Sequence, residues 1–220
     1  MENHQSCYRR DSDVIRGVER HRVLDAEQIQ VLYFGNLKSG KRIAQRRLGA
    51  LATKQWLNRD RRSLSQPYHY YLGKAPGQVE HRLGLNWAFI WLQRGLKSWE
   101  RVHSLEYEVD YKALRLDALV AVKNKVTGRL KIIFIEMDRS DNTFNKVSQI
   151  THYYQSEKYL SAWWVHLTDR FPVVLVATET ERRYQHIREA IDEQNTCGLE
   201  FRLHLLSELR EECLNGTNAV

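Results

Sequence analysis

The stretch KIIFIEMDRS, Lys131–Ser140, runs four apolar residues into a glutamate and reaches an aspartate two positions later. An apolar run without alternation is the pattern of a strand covered on both faces, at the centre of a sheet with helices on either side. Side chains alternate along a strand, so Glu136 and Asp138 leave it in the same direction. Burying a bare charge is costly, so this pair requires a partner: a metal, a basic side chain or water.

On either side of that strand the periodicity changes several times. LDAEQIQVLYF carries Ile29, Leu32 and Tyr33 at helical spacing behind Asp25, with Gln28 at the spacing of a capping box. GNLKSG reads as a turn, and KRIAQRRLGALATKQ as a second helix with Ala44, Leu48 and Leu51 as its inward stripe. WLNRDRR and YHYYLG, linked through SLSQP, read as two short aromatic-rich strands. Helix, turn, helix and hairpin over about residues 20–75 predict a winged helix-turn-helix.

KAPGQ, Lys74–Gln78, reads as a linker. An amphipathic helix follows in VEHRLGLNWAFIWLQRG, then strands in SLEYEVDY, LRLDALVAVKNK and RLKIIFIEMD. A long helix is expected over NTFNKVSQITHYYQSEKYL and a buried strand over RFPVVLVATET. A helix capped by Thr180, a strand in LEFRLHLL and a last helix capped by Ser207 close the order. The expected organisation is a flexible tail over 1–18, a winged-helix domain over 19–76 and a second domain over 77–214.

Charge is concentrated in one place. Between Lys38 and Arg62 nine Lys or Arg residues accompany one acid, Asp60, so the segment carries +8 in a chain whose total is +7. Arg42, Gln45 and Arg46 fall away from the inward stripe, with Lys41 at its edge and Lys38 in the preceding turn. Arg and Lys reach phosphates and guanine edges, and Gln can read adenine. Arg59, Arg61 and Arg62 on the hairpin would follow a phosphate backbone or minor groove. Double-stranded DNA is therefore the expected partner, and a homodimer the expected form, since such proteins pair on two half-sites. The plain alternative is a solvated helix face.

The order α-β-β-β-α-β-α-β-α, with acids on its second and third strands, resembles the PD-(D/E)XK nuclease superfamily. Asp117 in RLDALV stands at the strand-two acid, with Leu116 where the family usually has proline. Glu136 stands at the glutamate of E-x-K, whose lysine position holds Asp138. The Q-x-x-x-Y signature of RecB-type nucleases reads Gln149 to Tyr153, and Glu80 or Glu100 stands nearest to a first-helix acid. The resemblance implies an α+β or α/β chain in which a mixed β-sheet flanked by helices follows the winged helix. It also implies, for an active enzyme, Mg²⁺ held by Asp117 and Glu136, with Asp138 as a further ligand. Lys146 shares a helical face with Gln149 and Tyr153 and, like Arg139, is a candidate to replace the missing lysine.

The chain also resembles the replication-relaxation family of bacterial plasmids and mobile elements, over most of residues 20–205. The carrying features are LDAEQIQVLYF…KRIAQRRLGAL, HRLGLN, RLDALV and EMDR ahead of a helix with YY. This implies a winged helix joined to a nuclease-like domain, acting in plasmid DNA replication or relaxation with the proteins of that machinery as partners.

Three functions remain open: a non-cleaving DNA-binding protein, a metal-dependent endonuclease or nickase using Asp117, Glu136 and Asp138, and a transcriptional regulator. No Gly-rich phosphate loop is present, which argues against a nucleotide-driven motor. Three scattered cysteines suit neither a zinc site nor a disulfide framework, and the nine histidines show no paired ligand spacing. No apolar run approaches the roughly 20 residues of a membrane span. The polar N-terminus MENHQSCYRRDSD lacks a secretory h-region, so a cytoplasmic protein is expected.

Overall fold

The computed structural model describes residues 2–139 and 144–216, with side chains from residue 8 onward. The chain is α+β and divides into two compact units, Met1–Asn86 and Trp87–Val220.

In the first unit the elements are α1 (Glu2–His21), β1 (Val23–Asp25), α2 (Ala26–Phe34), α3 (Gly40–Thr53), β2 (Asn58–Asp60) and β3 (His69–Tyr71). The strands form an antiparallel sheet in the order β1-β3-β2. The capping box at α2 is present in full. Asp25 Oδ1 accepts from the Gln28 backbone N–H at 2.7 Å, and Gln28 Oε1 accepts from the Asp25 N–H at 3.1 Å. The inward stripe of α3 is as expected, with Ala44, Leu48 and Leu51 buried beside Ile29 and Phe34 of α2.

Two boundaries differ from the sequence reading. Residues expected to be a loose tail belong to α1, because Val14 and Val18 sit fully buried in the core of this unit. The unit also extends past the Lys74–Gln78 linker into α4 (Val79–Arg94). Asn86 is fully buried there and its Nδ2 donates to the Val23 carbonyl at 2.7 Å, while the Leu83 carbonyl accepts from Gln28 Nε2 at 2.7 Å.

The second unit is built on a five-stranded mixed sheet in the order β4-β5-β6-β7-β8. Its strands are β4 (Glu100–Asp110), β5 (Arg115–Asn124), β6 (Leu130–Asp138), β7 (Val173–Thr178) and β8 (Phe201–Leu205). β4, β5 and β6 pair antiparallel, and β6, β7 and β8 pair parallel. The parallel part needs helical crossovers, supplied by α5 (Lys146–Gln155) and α6 (Glu181–Gln194), and α7 (Leu206–Asn215) follows β8. Burial follows position in the sheet: β7 is buried throughout, whereas edge strand β4 has no fully buried residue.

Two further details depart from expectation. α5 ends at Gln155, well short of the long helix read from the sequence, and Asn142 and Thr143 of that reading lie outside the described residues. Glu157 adopts a left-handed backbone at φ 55°, and the chain turns to place Tyr159 and Trp164 against Phe171, with ring centroids 5.3 and 6.2 Å from it. At α7 the cap is not Ser207, which lies inside the helix. Instead Glu208 Oε2 accepts the Leu205 N–H at 3.3 Å.

The turn between α2 and α3 rests on Gly40, whose Cβ, if present, would lie 2.2 Å from the Phe34 carbonyl oxygen. Backbone cannot yield there as a flexible side chain could. Gly49, in the same helix, has nothing within 4 Å of that position. Gly40→Ala is expected to destabilise the chain by about 1–3 kcal/mol, the usual cost of overpacking. Gly49→Ala should stabilise it by about 0.5–1 kcal/mol, since glycine weakens a helix interior. Denaturant unfolding of both variants tests the pair of signs.

Candidate functional site

The basic face of α3 follows from its buried one. With Ala44, Leu48 and Leu51 held inside, helical geometry turns Lys41, Arg42, Gln45 and Arg46 to solvent, and all four are exposed. Lys38, in the turn before the helix, is exposed as well. Arg47 does not join them. Its guanidinium forks onto the carboxylate of Asp11 in α1, with Nε to Oδ1 at 2.9 Å, and the aspartate is almost wholly buried.

The hairpin arginines are held by aromatic rings. Arg59 and Arg61 both lie over Tyr68, at 4.7 and 4.6 Å from the ring centre, with Arg59 exposed and Arg61 half-buried. Arg62 is exposed and stands 3.9 Å from Glu80. Sequence reasoning overlooks Trp56, which is 46 % exposed just past α3 with the Lys54 ammonium 5.0 Å above its ring. An aromatic among basic residues at a helix end was the available signal.

At the other candidate site, the acids of β5 and β6 are distributed among different partners. The β5–β6 ladder runs from Lys123 opposite Leu130 to Ala118 opposite Ile135. One step further, Asp117 Oδ2 accepts the Met137 N–H at 2.8 Å, doing the work of a strand carbonyl. Glu136 is 2 % exposed, and its Oε2 lies 3.2 Å from the Lys146 ammonium, which comes from the first turn of α5. Lys146 also donates to the Arg115 carbonyl, so it ties α5 to both strands. Glu136 Oε1 is buried and has no hydrogen-bond partner among the described residues. Burial first, and the negative charge of Asp117 second, push the Glu136 carboxyl up to about 8, against the pull of Lys146.

Asp138 is engaged elsewhere. Arg183 grips its carboxylate with Nε and with Nη2, the latter at 3.2 Å, and both side chains are close to buried. Arg183 is not among the site residues that the sequence reading puts forward. The local structure explains its placement: Asp138 is in register with Thr178 at the end of β7, and Thr180 caps α6 by accepting the Arg183 N–H at 3.3 Å. The first turn of α6 therefore brings Arg183 back over the end of β6. Arg139, the other substitute cation considered, pairs with Glu179 at 2.7 Å.

The face expected to unite Lys146, Gln149 and Tyr153 does not hold together as a site. Gln149 is exposed to solvent, while Tyr153 is 1 % exposed in the core, stacked on Tyr111 with ring centroids 5.8 Å apart. Asp117, Glu136 and Lys146 are the candidates brought into mutual reach. Among the described residues no three His, Cys, Asp or Glu side chains are arranged to hold a metal ion. Two acids remain in the group, and the unpartnered Glu136 Oε1 leaves one hard oxygen donor of the kind Mg²⁺ takes.

Residues 15–78 match the model of the replication-relaxation family, a segment running from inside α1 through the hairpin to the start of α4. No curated protein and no solved structure matches the chain.

The raised Glu136 carboxyl has a consequence for stability. The unfolded chain loses that proton near the ordinary value of 4.5, whereas the folded chain keeps it to about 8. Between those values the folded state binds more protons, so stability falls as pH rises. The thermal midpoint of the wild type should decline across that window, by an amount equivalent to a few kcal/mol, and Glu136→Gln should flatten the decline. Lys146→Met, which removes the opposing cation, should extend the decline to higher pH. Calorimetry across the range reads all three.

Proposed function

We propose, from the match of residues 15–78 to the replication-relaxation family, a DNA-binding protein whose first unit is a winged helix with α3 as its reading element. The order α1-β1-α2-α3-β2-β3, with an antiparallel β1-β3-β2 sheet, supports the winged-helix reading. The observation that carries the function is the row Lys41, Arg42, Gln45 and Arg46, exposed on the face opposite a fully apolar stripe. A helix of this width fits the major groove, where Arg and Lys contact phosphates or guanine and Gln contacts adenine. Arg59 and Arg61, held over Tyr68, would meet the flanking backbone. Duplex DNA is thus the proposed partner, with plasmid or mobile-element replication as the setting and the replication or relaxation proteins as further partners. Binding as a homodimer to paired half-sites fits this class of reader.

The second unit, with its mixed sheet and acids on β5 and β6, is read as a nuclease-like platform that does not cut. The pairing of Asp138 with Arg183 supports that reading, because it withdraws one of the three expected acids into an ion pair.

A second reading, metal-dependent cleavage, is favoured by the approach of Asp117, Glu136 and Lys146. Here Asp117 and Glu136 would hold a Mg²⁺ ion, which when bound would lower the pKa of an attacking water and neutralise phosphate charge. Lys146 would stand where the superfamily's lysine charge is needed, reached from α5 and not from β6. It would position the scissile phosphate and oppose the burial that holds the Glu136 carboxyl at about 8.

Arg42→Ala with Arg46→Ala should weaken duplex binding at least about tenfold and lower the salt slope by about one per lost phosphate contact, while Asp117→Ala leaves both intact. Fluorescence anisotropy over a salt series measures this, and unchanged binding in the double variant would overturn the reading of α3. Under the platform reading, supercoiled, linear and single-stranded DNA stay uncut with Mg²⁺ or Mn²⁺. Cleavage that vanishes in Glu136→Ala would establish the second reading in its place.

A further inference from the structure

On the side of the sheet toward which Lys131, Ile133 and Leu175 project, the second unit contains a cavity of ≈ 600 Å³. That size lies within the roughly 300–1,000 Å³ of small-molecule sites. Its floor is apolar: Val122, Ile133, Val173 and Leu175 line it, each nearly buried. One wall is the C-terminal end of α4 and the turn after it, where Trp91, Leu92 and Leu96 line the space. The indole is fixed from both sides. Trp91 Nε1 donates to Glu212 Oε2 at 2.6 Å, and the His204 ring lies 4.8 Å from it.

Charge is present at the lining and is predominantly positive. Lys97, Lys131 and Arg202 contribute cations and Glu100 the single carboxylate. Glu100 is occupied as a turn acceptor, taking the Lys97 N–H at 3.0 Å. Arg202 pairs with Glu200 at 2.6 Å, and the Lys97 ammonium rests over Trp99 at 5.5 Å. Lys131 has no ion-pair partner among the described residues. Partial desolvation and the neighbouring Arg202 hold its ammonium below the ordinary lysine range against the opposite pull of Glu100 and Glu200, and an added anion would act in the same sense as those carboxylates. An apolar slot with an unpaired ammonium at its lining matches a ligand that is apolar along its body and anionic at one end.

We propose that this cavity binds an amphipathic organic anion, an aromatic or aliphatic acid whose apolar body lies on the β5–β7 floor beside Trp91 and whose charged group meets Lys131. This site is independent of the DNA-binding reading, and none of its lining residues belongs to α3 or to the Asp117–Glu136–Lys146 group.

The test uses the full chain and 8-anilinonaphthalene-1-sulfonate, a fluorescent probe of this chemistry. One saturable site is expected. Lys131→Gln should weaken the probe about tenfold or more, the usual effect of losing a charge-assisted contact. N-Phenyl-1-naphthylamine, with the same rings and no sulfonate, should bind the wild type weaker by a similar factor. Arg42→Ala with Arg46→Ala should leave probe binding unchanged, which separates this site from the basic face of α3. Lys131 is exposed, so an unchanged unfolding midpoint is expected for its variant and shows that any loss is local. Non-saturable binding, equal affinity for the neutral probe, or full affinity in Lys131→Gln would each overturn the proposal.

Discussion

The arrangement of the first unit depends on three side chains of one helix. Ala44, Leu48 and Leu51 bury against Ile29 and Phe34, and that burial fixes the rotation of α3 about its own axis. Once the rotation is set, Lys41, Arg42, Gln45 and Arg46 have only solvent to face. Burying a leucine stabilises by about 1.5–3 kcal/mol, whereas repulsion among exposed, screened cations is worth much less. Packing therefore wins, and the like charges are held side by side at a small cost. A polyanion would remove that cost. Arg47 marks the limit of the basic face, because its ion pair with buried Asp11 puts it to structural use in joining α3 to α1.

In the second unit the governing constraint is the acidic end of β6. A carboxylate buried as deeply as Glu136 must be protonated, paired or bound, and here the nearest remedy is a lysine arriving from α5. Asp138 meets the same demand with an arginine arriving from α6. The two crossover helices that make the parallel part of the sheet possible thus also deliver the cations that its acids need. One oxygen of Glu136 is left unpartnered among the described residues, which distinguishes this end of the sheet from the aromatic cluster around Tyr153.

Much of this could be read from the sequence, for identifiable reasons. The capping box at Asp25 and Gln28 and the stripe on α3 are local patterns, and local patterns survive folding. The strands β5, β6 and β7 announce themselves by apolar runs too dense for any exposed element. What escaped was settled by tertiary contact. Val14 and Val18 lie in a polar segment that reads as a tail until it has a core to join. Tyr153 shares helical spacing with Lys146 but belongs to the aromatic cluster, because α5 stops at Gln155 and the chain folds Tyr159 and Trp164 alongside it. Arg183 was invisible as a partner of Asp138 because the pairing depends on the register of β6 with β7 and on a short β7–α6 connection. The migration of a lysine to α5 was legible as a possibility of spacing, and the structure adds the Glu136 contact.

The central claim is that the solvent face of α3 lies against duplex DNA. It is tested most directly by placing a photoreactive benzoylphenylalanine at Gln45, in the middle of that face, and at Glu193, an exposed position near the end of α6. Irradiation with a duplex that the chain binds should cross-link the Gln45 derivative in high yield and the Glu193 derivative at background. Equal yields at the two positions, or cross-linking at Glu193 alone, would contradict the account.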